Sequence, residues 1–249
     1  MNIEFEAWDD LSCLPLDPPK MRDVCYRCRR PNVVCWCPFL PAVPVQTRCT
    51  VVLLQHPAEQ RRRLRTAPML AQALAPGRCL VFRGKKFNLS RHEQLREILA
   101  SPHALLVYPS ACARDVRELA SVSERRAPYT LVLLDGTWPQ AKAMFHGTPQ
   151  LQLLPQVKLV DGETSEYVIR SQPTDGCLST LETAAQALSI LEGDPALKDV
   201  LVQPLRALCS FQLEHGAVTH QSTEFRVRNN TYPRQIGRRL SRLLHGSAS

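Results

Sequence analysis

Short apolar runs, each followed at once by polar residues and then by a helical stretch, constrain this chain more than any other feature. The runs are TVVLLQ at residues 50–55, CLVF at 79–82, ALLVY at 104–108 and YTLVLL at 129–134, with a further strand expected near 157–160. Strands buried on both faces read as continuous apolar runs, whereas half-exposed strands alternate apolar with polar residues. Helical patterns lie between and after them, at residues 61–75, 91–100, 115–121, from Trp138 onward, at 179–191 and at 197–215. The alternation predicts an α/β fold, a parallel sheet with helices on both faces. With 249 residues and a hydrophobic share of 44%, the chain can bury one sizeable core.

Ahead of the first run stand four cysteines, Cys25, Cys28, Cys35 and Cys37, spaced C-x2-C-x6-C-x-C, with Arg22, Arg27, Arg29 and Arg30 among them. Two thiolate pairs separated by a turn through Pro31 and Asn32 suit one tetrahedral Zn2+ with all four positions filled by sulfur, which makes a structural site. The arginines suit hydrogen bonds to the sulfurs. The remaining cysteines, Cys13, Cys49, Cys79, Cys112, Cys177 and Cys209, lack ligand spacing and are expected to be buried free thiols.

The organisation expected from the sequence is a flexible leader at residues 1–20, a zinc-binding module at 21–45, a main α/β domain of catalytic size at 46–225 and a basic tail at 226–249 with an amphipathic helix near 236–244. No basic segment followed by an apolar one opens the chain, and no apolar stretch has the length of a membrane span. The expectation is a soluble intracellular protein, cytoplasmic or nuclear, with no membrane contact and no obligate protein partner. The formal charge is +8, partly grouped at Arg61-Arg62-Arg63-Leu64-Arg65, Arg83-Gly84-Lys85-Lys86 and Arg238-Arg239-Leu240-Ser241-Arg242. Such clusters suit an extended polyanion better than a small neutral metabolite, although a solvated helix face accounts for any one of them.

In a parallel sheet, ligands bind beyond the carboxyl ends of the strands. The residues there are polar and specific: Gln55-His56-Pro57-Ala58-Glu59, Tyr108-Pro109-Ser110 and Asp135-Gly136-Thr137-Trp138-Pro139-Gln140-Ala141. Later come Ser165-Glu166-Tyr167-Val168-Ile169-Arg170 and Leu178-Ser179-Thr180-Leu181-Glu182. Helix capping by Ser179 or Thr180, and Pro139 in a first turn, explain part of the pattern. Trp138 beside an acidic residue is left over by that explanation; its ring suits stacking on a nucleobase.

The run Asp135-Gly136-Thr137-Trp138, followed by Gln140-Ala141-x-x-Met144, resembles the D-x-T-W motif of the DTW-domain family, the tRNA-uridine aminocarboxypropyltransferases. The zinc-spaced cysteines, His56-Pro57-x-Glu59, Tyr167-x-Ile169-Arg170 and Leu178-Ser179-Thr180-x-Glu182 are similar to that family's pattern and follow the same order. The resemblance covers roughly Cys25 to Leu191. One departure is Arg65-Thr66, where many bacterial members carry an Asn-Thr pair.

The resemblance implies a SPOUT-like domain with a trefoil knot. It also implies transfer of the 3-amino-3-carboxypropyl group from S-adenosylmethionine to N3 of a tRNA uridine, forming acp3U and releasing 5′-methylthioadenosine. Carried onto this chain, it implies Asp135, Thr137 and Trp138 as catalytic residues, with Trp138 either stacking on a ring or packing as a wedge. Gln55, Tyr108, Ser110, Asp135, Gly136, Arg170, Thr180 and Glu182 are implied for S-adenosylmethionine, and His56, Glu59, Gln140 and Tyr167 for the RNA substrate, with Glu59 and Glu182 also candidates to hold the donor's amine. A capping role for Asp135, a structural role for His56 and ion pairing of Glu59 or Glu182 with an arginine are the plainer alternatives. Rival functions are an S-adenosylmethionine-dependent RNA methyltransferase, aminocarboxypropyl transfer to ribosomal RNA, and a noncatalytic zinc-containing RNA-binding protein.

Overall fold

A computed structural model describes residues 22–160, 164–174 and 176–233. The expected leader and the expected tail helix at 236–244 lie outside the described residues. The chain divides into two compact units, one ending at Cys35 and one beginning at Trp36.

The described part of the first unit is a tight hairpin. Val24 bridges Pro31 in antiparallel fashion, Cys25 N donates to Arg30 O at 2.8 Å, and Arg29 N donates to Cys25 O at 2.9 Å. Arg29 takes a φ of 61°, a left-handed conformation uncommon outside glycine, to close this turn.

The second unit is built on six strands: β1 (Thr50–Gln55), β2 (Cys79–Arg83), β3 (Ala104–Val107), β4 (Arg114–Asp115), β5 (Thr130–Asp135) and β6 (Gln156–Lys158). All pair in parallel, in the order β2-β1-β5-β3-β6-β4. The helices are α1 (Ala67–Ala73), α2 (Glu93–Ala100), α3 (Trp138–Gly147), α4 (Pro149–Leu153), α5 (Thr180–Glu192), α6 (Ala196–Glu214) and α7 (Thr223–Arg228). Side chains of a strand alternate between the two faces. On one face Val52 and Leu54, Ala104 and Leu106, and Val132 form a buried cluster with Leu95 and Leu99 of α2, Met144 and Phe145 of α3, and Leu151 of α4. The opposite face, carrying Val51, Leu53, Leu105, Leu131 and Leu133, is covered by α1 and α5, on which α6 packs in turn; Met69, Leu70, Leu181, Leu188, Leu201 and Leu205 of these helices are fully buried. Each such side chain stabilises the fold by about 1.5–3 kcal/mol. The α/β class expected from the apolar runs is the observed one.

Three expected elements differ. The helix expected over residues 61–75 spans only Ala67–Ala73, and a separate 3-10 turn covers Pro57–Arg61. Pro68 is tolerated in the first helical turn, where its missing N–H is not needed, but a helix continued back through the arginines would require that N–H and bring the ring against the Leu64 carbonyl, so the helix starts here. The helix expected over 115–121 is a single 3-10 turn, Val116–Glu118, because Asp115 belongs to β4 and its side chain accepts from Arg117 N at 3.0 Å. The last strand is Gln156–Lys158, earlier and shorter than the 157–160 expected. Among the described residues no helix is long and apolar enough to cross a membrane.

Candidate active site and cysteine cluster

Strand register brings the polar residues together at the carboxyl edge of the sheet. Gln55 pairs with Arg83 of β2 on one side and with Asp135 of β5 on the other. In-register neighbours share a face, so their side chains form a row. Hydrogen bonds run along it: Arg83 Nε donates to Gln55 Oε1 at 3.4 Å, and Gln55 Nε2 donates to Asp135 Oδ2 at 2.8 Å. The second carboxylate oxygen, Oδ1, accepts from Thr180 Oγ1 at 2.8 Å. Asp135 is only 6% exposed. Its carboxylate is thus fixed from two elements distant in sequence, β1 and the start of α5, and each oxygen retains a further lone pair for a substrate donor. Arg83 was legible only as part of a basic cluster; its place directly after an apolar run was the signal for a site position.

Two capping boxes set the helices that frame this carboxylate. Thr137 is the N-cap of α3: Gln140 N donates to Thr137 Oγ1 at 3.4 Å and Thr137 N to Gln140 Oε1 at 2.8 Å. Both side chains are therefore engaged in starting the helix. Gly136 permits the close approach this needs, since a Cβ there would lie 3.1 Å from Gln140 Cβ and 3.4 Å from His56 Cβ. Trp138 follows at the first helical position and is 45% exposed. A core wedge would be buried, as Trp36 is at 3%, so Trp138 is not one.

The second box starts α5. Glu182 accepts from Ser179 N at 2.8 Å, from Glu166 N at 2.6 Å and from Ser165 Oγ at 2.9 and 3.1 Å. With its carboxylate so fully engaged, Glu182 ties the 165–167 segment to the helix. Ser179 does the capping, which leaves the hydroxyl of Thr180 for Asp135. The same segment is held again where Tyr167 OH donates to Leu64 O and where Arg206 pairs with Glu166 and, at 2.7 Å, with Asp199. Tyr167 is buried, and Arg170, three residues on, is exposed at the end of this anchored turn.

His56 extends the β1 ladder by donating its backbone N–H to Asp135 O at 2.8 Å. Its Nδ1 accepts from Ala58 N at 3.2 Å, which leaves the ring proton on Nε2. Burial, then Lys85 and Arg62, push its pKa down and favour the neutral ring. On the other side of β5, Tyr108 stacks on Phe145 with ring centroids 4.5 Å apart, and burial raises its phenol pKa. Ser110 N donates to Tyr108 O at 2.9 Å, and Ser110 Oγ lies 3.2 Å from Cys112 Sγ.

Glu59 is a further buried carboxylate near this edge, 5% exposed. Arg62 Nε lies 3.1 Å from its Oε1, an ion-pair distance, but the approach is not directed as a hydrogen bond and Oε1 has no other donor among the described residues. Burial raises the Glu59 pKa; Asp135 adds to this, while Arg62 and Arg170 oppose it. A carboxyl group raised in the folded state binds its proton better folded than unfolded, so its contribution to stability is lost as pH rises through the folded pKa. Glu59→Gln should therefore gain stability relative to the parent as pH rises from weakly acidic to 8. Urea titrations at several pH values check this; a stability difference independent of pH would contradict it.

The Sγ atoms of Cys25, Cys28, Cys35 and Cys37 all lie within 4.8 Å of one another, and those of Cys28 and Cys35 are 3.6 Å apart. Tetrahedral zinc with Zn–S near 2.3 Å requires sulfurs about 3.8 Å apart, so this donor set fits the ion. Hydrogen bonds from the Cys28 backbone first, then from the Arg27 backbone and the Cys35 and Cys28 thiols, outweigh burial and bring the Cys25 thiol pKa down to about 6, which favours the ligating thiolate. Of the other cysteines, Cys49 and Cys209 are buried; burial raises Cys49 and Cys79 to about 12 and Cys209 to about 11. The expectation of burial fails for Cys112, which is exposed, and is only half met at Cys79 and Cys177. Cys112 sits in the loop after β3, where polar residues leave the sheet, and Cys13 lies outside the described residues.

The DTW domain matches residues 22–213. A Drosophila melanogaster protein named tRNA-uridine aminocarboxypropyltransferase 2 is 54% identical over 247 residues, covering 99% of this chain and 97% of its own. A Mus musculus protein of the same name is 43% identical, covering 94% of this chain and 78% of its own. The Arabidopsis thaliana tRNA-uridine aminocarboxypropyltransferase A is 29% identical, covering 80% of this chain and 84% of its own. No solved structure matches the chain significantly. A match over most of its length, together with the Asp135–Trp138 turn at the carboxyl edge of β5, places this chain in the DTW-domain family.

Proposed function

We propose that this protein transfers the 3-amino-3-carboxypropyl group of S-adenosylmethionine to N3 of a uridine in tRNA, giving acp3U and 5′-methylthioadenosine. The observation that carries the reading is 54% identity, over nearly the whole of both chains, to a relative named for this reaction. The geometry agrees with it. A fixed buried carboxylate stands three residues before an exposed tryptophan, and its partner Gln55 accepts in turn from Arg83 of the basic 83–86 run.

The donor supplies a sulfonium whose bond to the aminocarboxypropyl γ-carbon breaks as N3 bonds to that carbon, the electron pair staying on sulfur. Asp135 accepts the N3–H hydrogen bond and thereby orients the uracil ring. An ordinary carboxylate is several pK units too acidic to take this proton outright, at about 1.4 kcal/mol per unit. Proton loss therefore accompanies carbon transfer, and the proton passes through Asp135 to water. Positioning of the two reactants supplies most of the acceleration.

Trp138 stacks on a ring of one reactant, and Tyr108 and Ser110 border the adenosine. Arg170 binds the donor's carboxylate or an RNA phosphate, and Glu59 its amino group. His56 offers Nε2–H to the uridine. Gln55, Gly136, Thr137, Thr180, Gln140, Glu182 and Tyr167 act by shaping the site, because their side chains or close approaches are already committed within the fold. A SPOUT-like knotted pocket is part of the reading; its support is the parallel sheet with β5 between β1 and β3, and the return of the chain after β6 to place Thr180 on Asp135. Zn2+ held by the four cysteines stabilises the N-terminal hairpin.

Isotope labelling tests the reading. With S-adenosylmethionine labelled in its aminocarboxypropyl carbons, label should enter unmodified tRNA, and with methyl-labelled donor it should not. The reverse pattern would establish a methyltransferase.

A further inference from the structure

The cysteine hairpin exposes more apolar surface than a purely structural clamp requires. Tyr26 is 82% exposed, Val33 77% and Val24 50%. Single exposed apolar residues are ordinary, but here three fall between Val24 and Val33. Val34 in the same hairpin is only 8% exposed, so small size alone does not account for the exposure of Tyr26 and Val33. Tyr26 occupies the turn between Cys25 and Cys28, whose backbone is fixed by Cys25 N to Arg30 O and Arg29 N to Cys25 O. Its ring is presented on a rigid support, which lowers the ordering cost of a stacking interaction.

The charges beside it have one dominant sign. Arg22, Arg27 and Arg29 are exposed, and Asp23 is the one acidic residue between Arg22 and Cys35. Arg30 differs, since its Nε donates to Val34 O at 3.1 Å and helps close the knuckle. A flat ring flanked by exposed guanidinium groups complements an unpaired base with phosphates on either side. It does not complement an acidic or purely apolar protein surface equally well, because one of these would leave the ring and the other the arginines without a partner.

We propose that the hairpin is a second RNA-binding element, in which Tyr26 stacks on an unpaired base of the substrate RNA while Arg27 and Arg29 hold the neighbouring phosphates. The proposal rests on the reading of the substrate as RNA. It adds binding and specificity without touching the reacting atoms. Val33 supplies further apolar surface against the base.

The test uses the full-length, zinc-loaded protein and an unmodified tRNA transcript. Tyr26→Ala should weaken tRNA binding by about 5- to 100-fold, the range expected when one base is no longer stacked. Tyr26→Phe, which keeps the ring, should bind within about twofold of the parent. Zinc content, S-adenosylmethionine binding and kcat at saturating tRNA should not change in either variant, so the effect appears in KM for tRNA. Arg27→Ser with Arg29→Ser should make the salt dependence of log K shallower by about 0.7 for each phosphate no longer neutralised. Unchanged tRNA affinity in Tyr26→Ala with zinc intact would overturn the proposal, including the case in which the variant instead fails to bind a protein partner. An equal weakening in Tyr26→Phe would overturn the stacking role. If Tyr26 controls tRNA affinity but no aminocarboxypropyl nucleoside forms, the RNA-binding role stands and the assigned reaction fails.

Discussion

Asp135→Ala is expected to abolish aminocarboxypropyl transfer while leaving the protein folded and able to bind tRNA. A positioned acid–base group contributes typically 10²–10⁴-fold, so kcat should fall by at least about 10²-fold. The supporting residues give this prediction its resolution. Asp135 is held by Gln55 Nε2 and by Thr180 Oγ1, each at 2.8 Å. Thr180→Ser keeps the hydroxyl and should keep most activity. Thr180→Val keeps the shape, removes the donor, and should lower kcat by roughly 10-fold, the equivalent of one hydrogen bond to a charged group at about 1.5 kcal/mol. Similar kcat in the two variants would mean that the Thr180 bond has no part in positioning the carboxylate. The rates come from single-turnover transfer to unmodified tRNA.

Loss of one zinc ligand is the other large expected effect. Cys25→Ser or Cys37→Ser should remove the metal and unfold the hairpin, because binding of a structural zinc is worth on the order of 10 kcal/mol of folding free energy. The four Sγ atoms lie within 4.8 Å of one another, and the hairpin that carries three of them is too small for a core of its own. Metal analysis by mass spectrometry, paired with hydrogen exchange over residues 22–37, reads both consequences. The expected result is less than one zinc per chain and fast exchange in that segment. Full zinc content with unchanged protection would show that these cysteines do not form the site.

The sheet was legible because its strands are buried on both faces and so appear as uninterrupted apolar runs. The helix at Ala67–Ala73 was overextended because the arginines before it continue a helical composition, while Pro68 fixes where the helix begins. At the site, positions after the apolar runs and the family resemblance put Asp135, Gln55 and Thr180 forward as candidates. It did not show that they touch, since that depends on the register that sets Gln55 opposite Asp135 and on the return of the chain to α5. The same limit explains Arg83, whose bond to Gln55 follows from pairing β1 with β2. Glu182 and Tyr167 illustrate the converse. Their residue types suit ligand binding, but Glu182 is engaged by backbone and hydroxyl donors around it and Tyr167 OH donates to the Leu64 carbonyl. Capping boxes and buried tyrosine hydroxyls use the same polar atoms that ligands use, and only the fold distinguishes them.

The most direct measurement is mass spectrometry of both products after incubating the protein with S-adenosylmethionine and unmodified tRNA. The expected result is 5′-methylthioadenosine in solution, formed only when tRNA is present, together with a uridine heavier by one aminocarboxypropyl group in the digested RNA. S-adenosylhomocysteine with a methylated nucleoside would contradict the account.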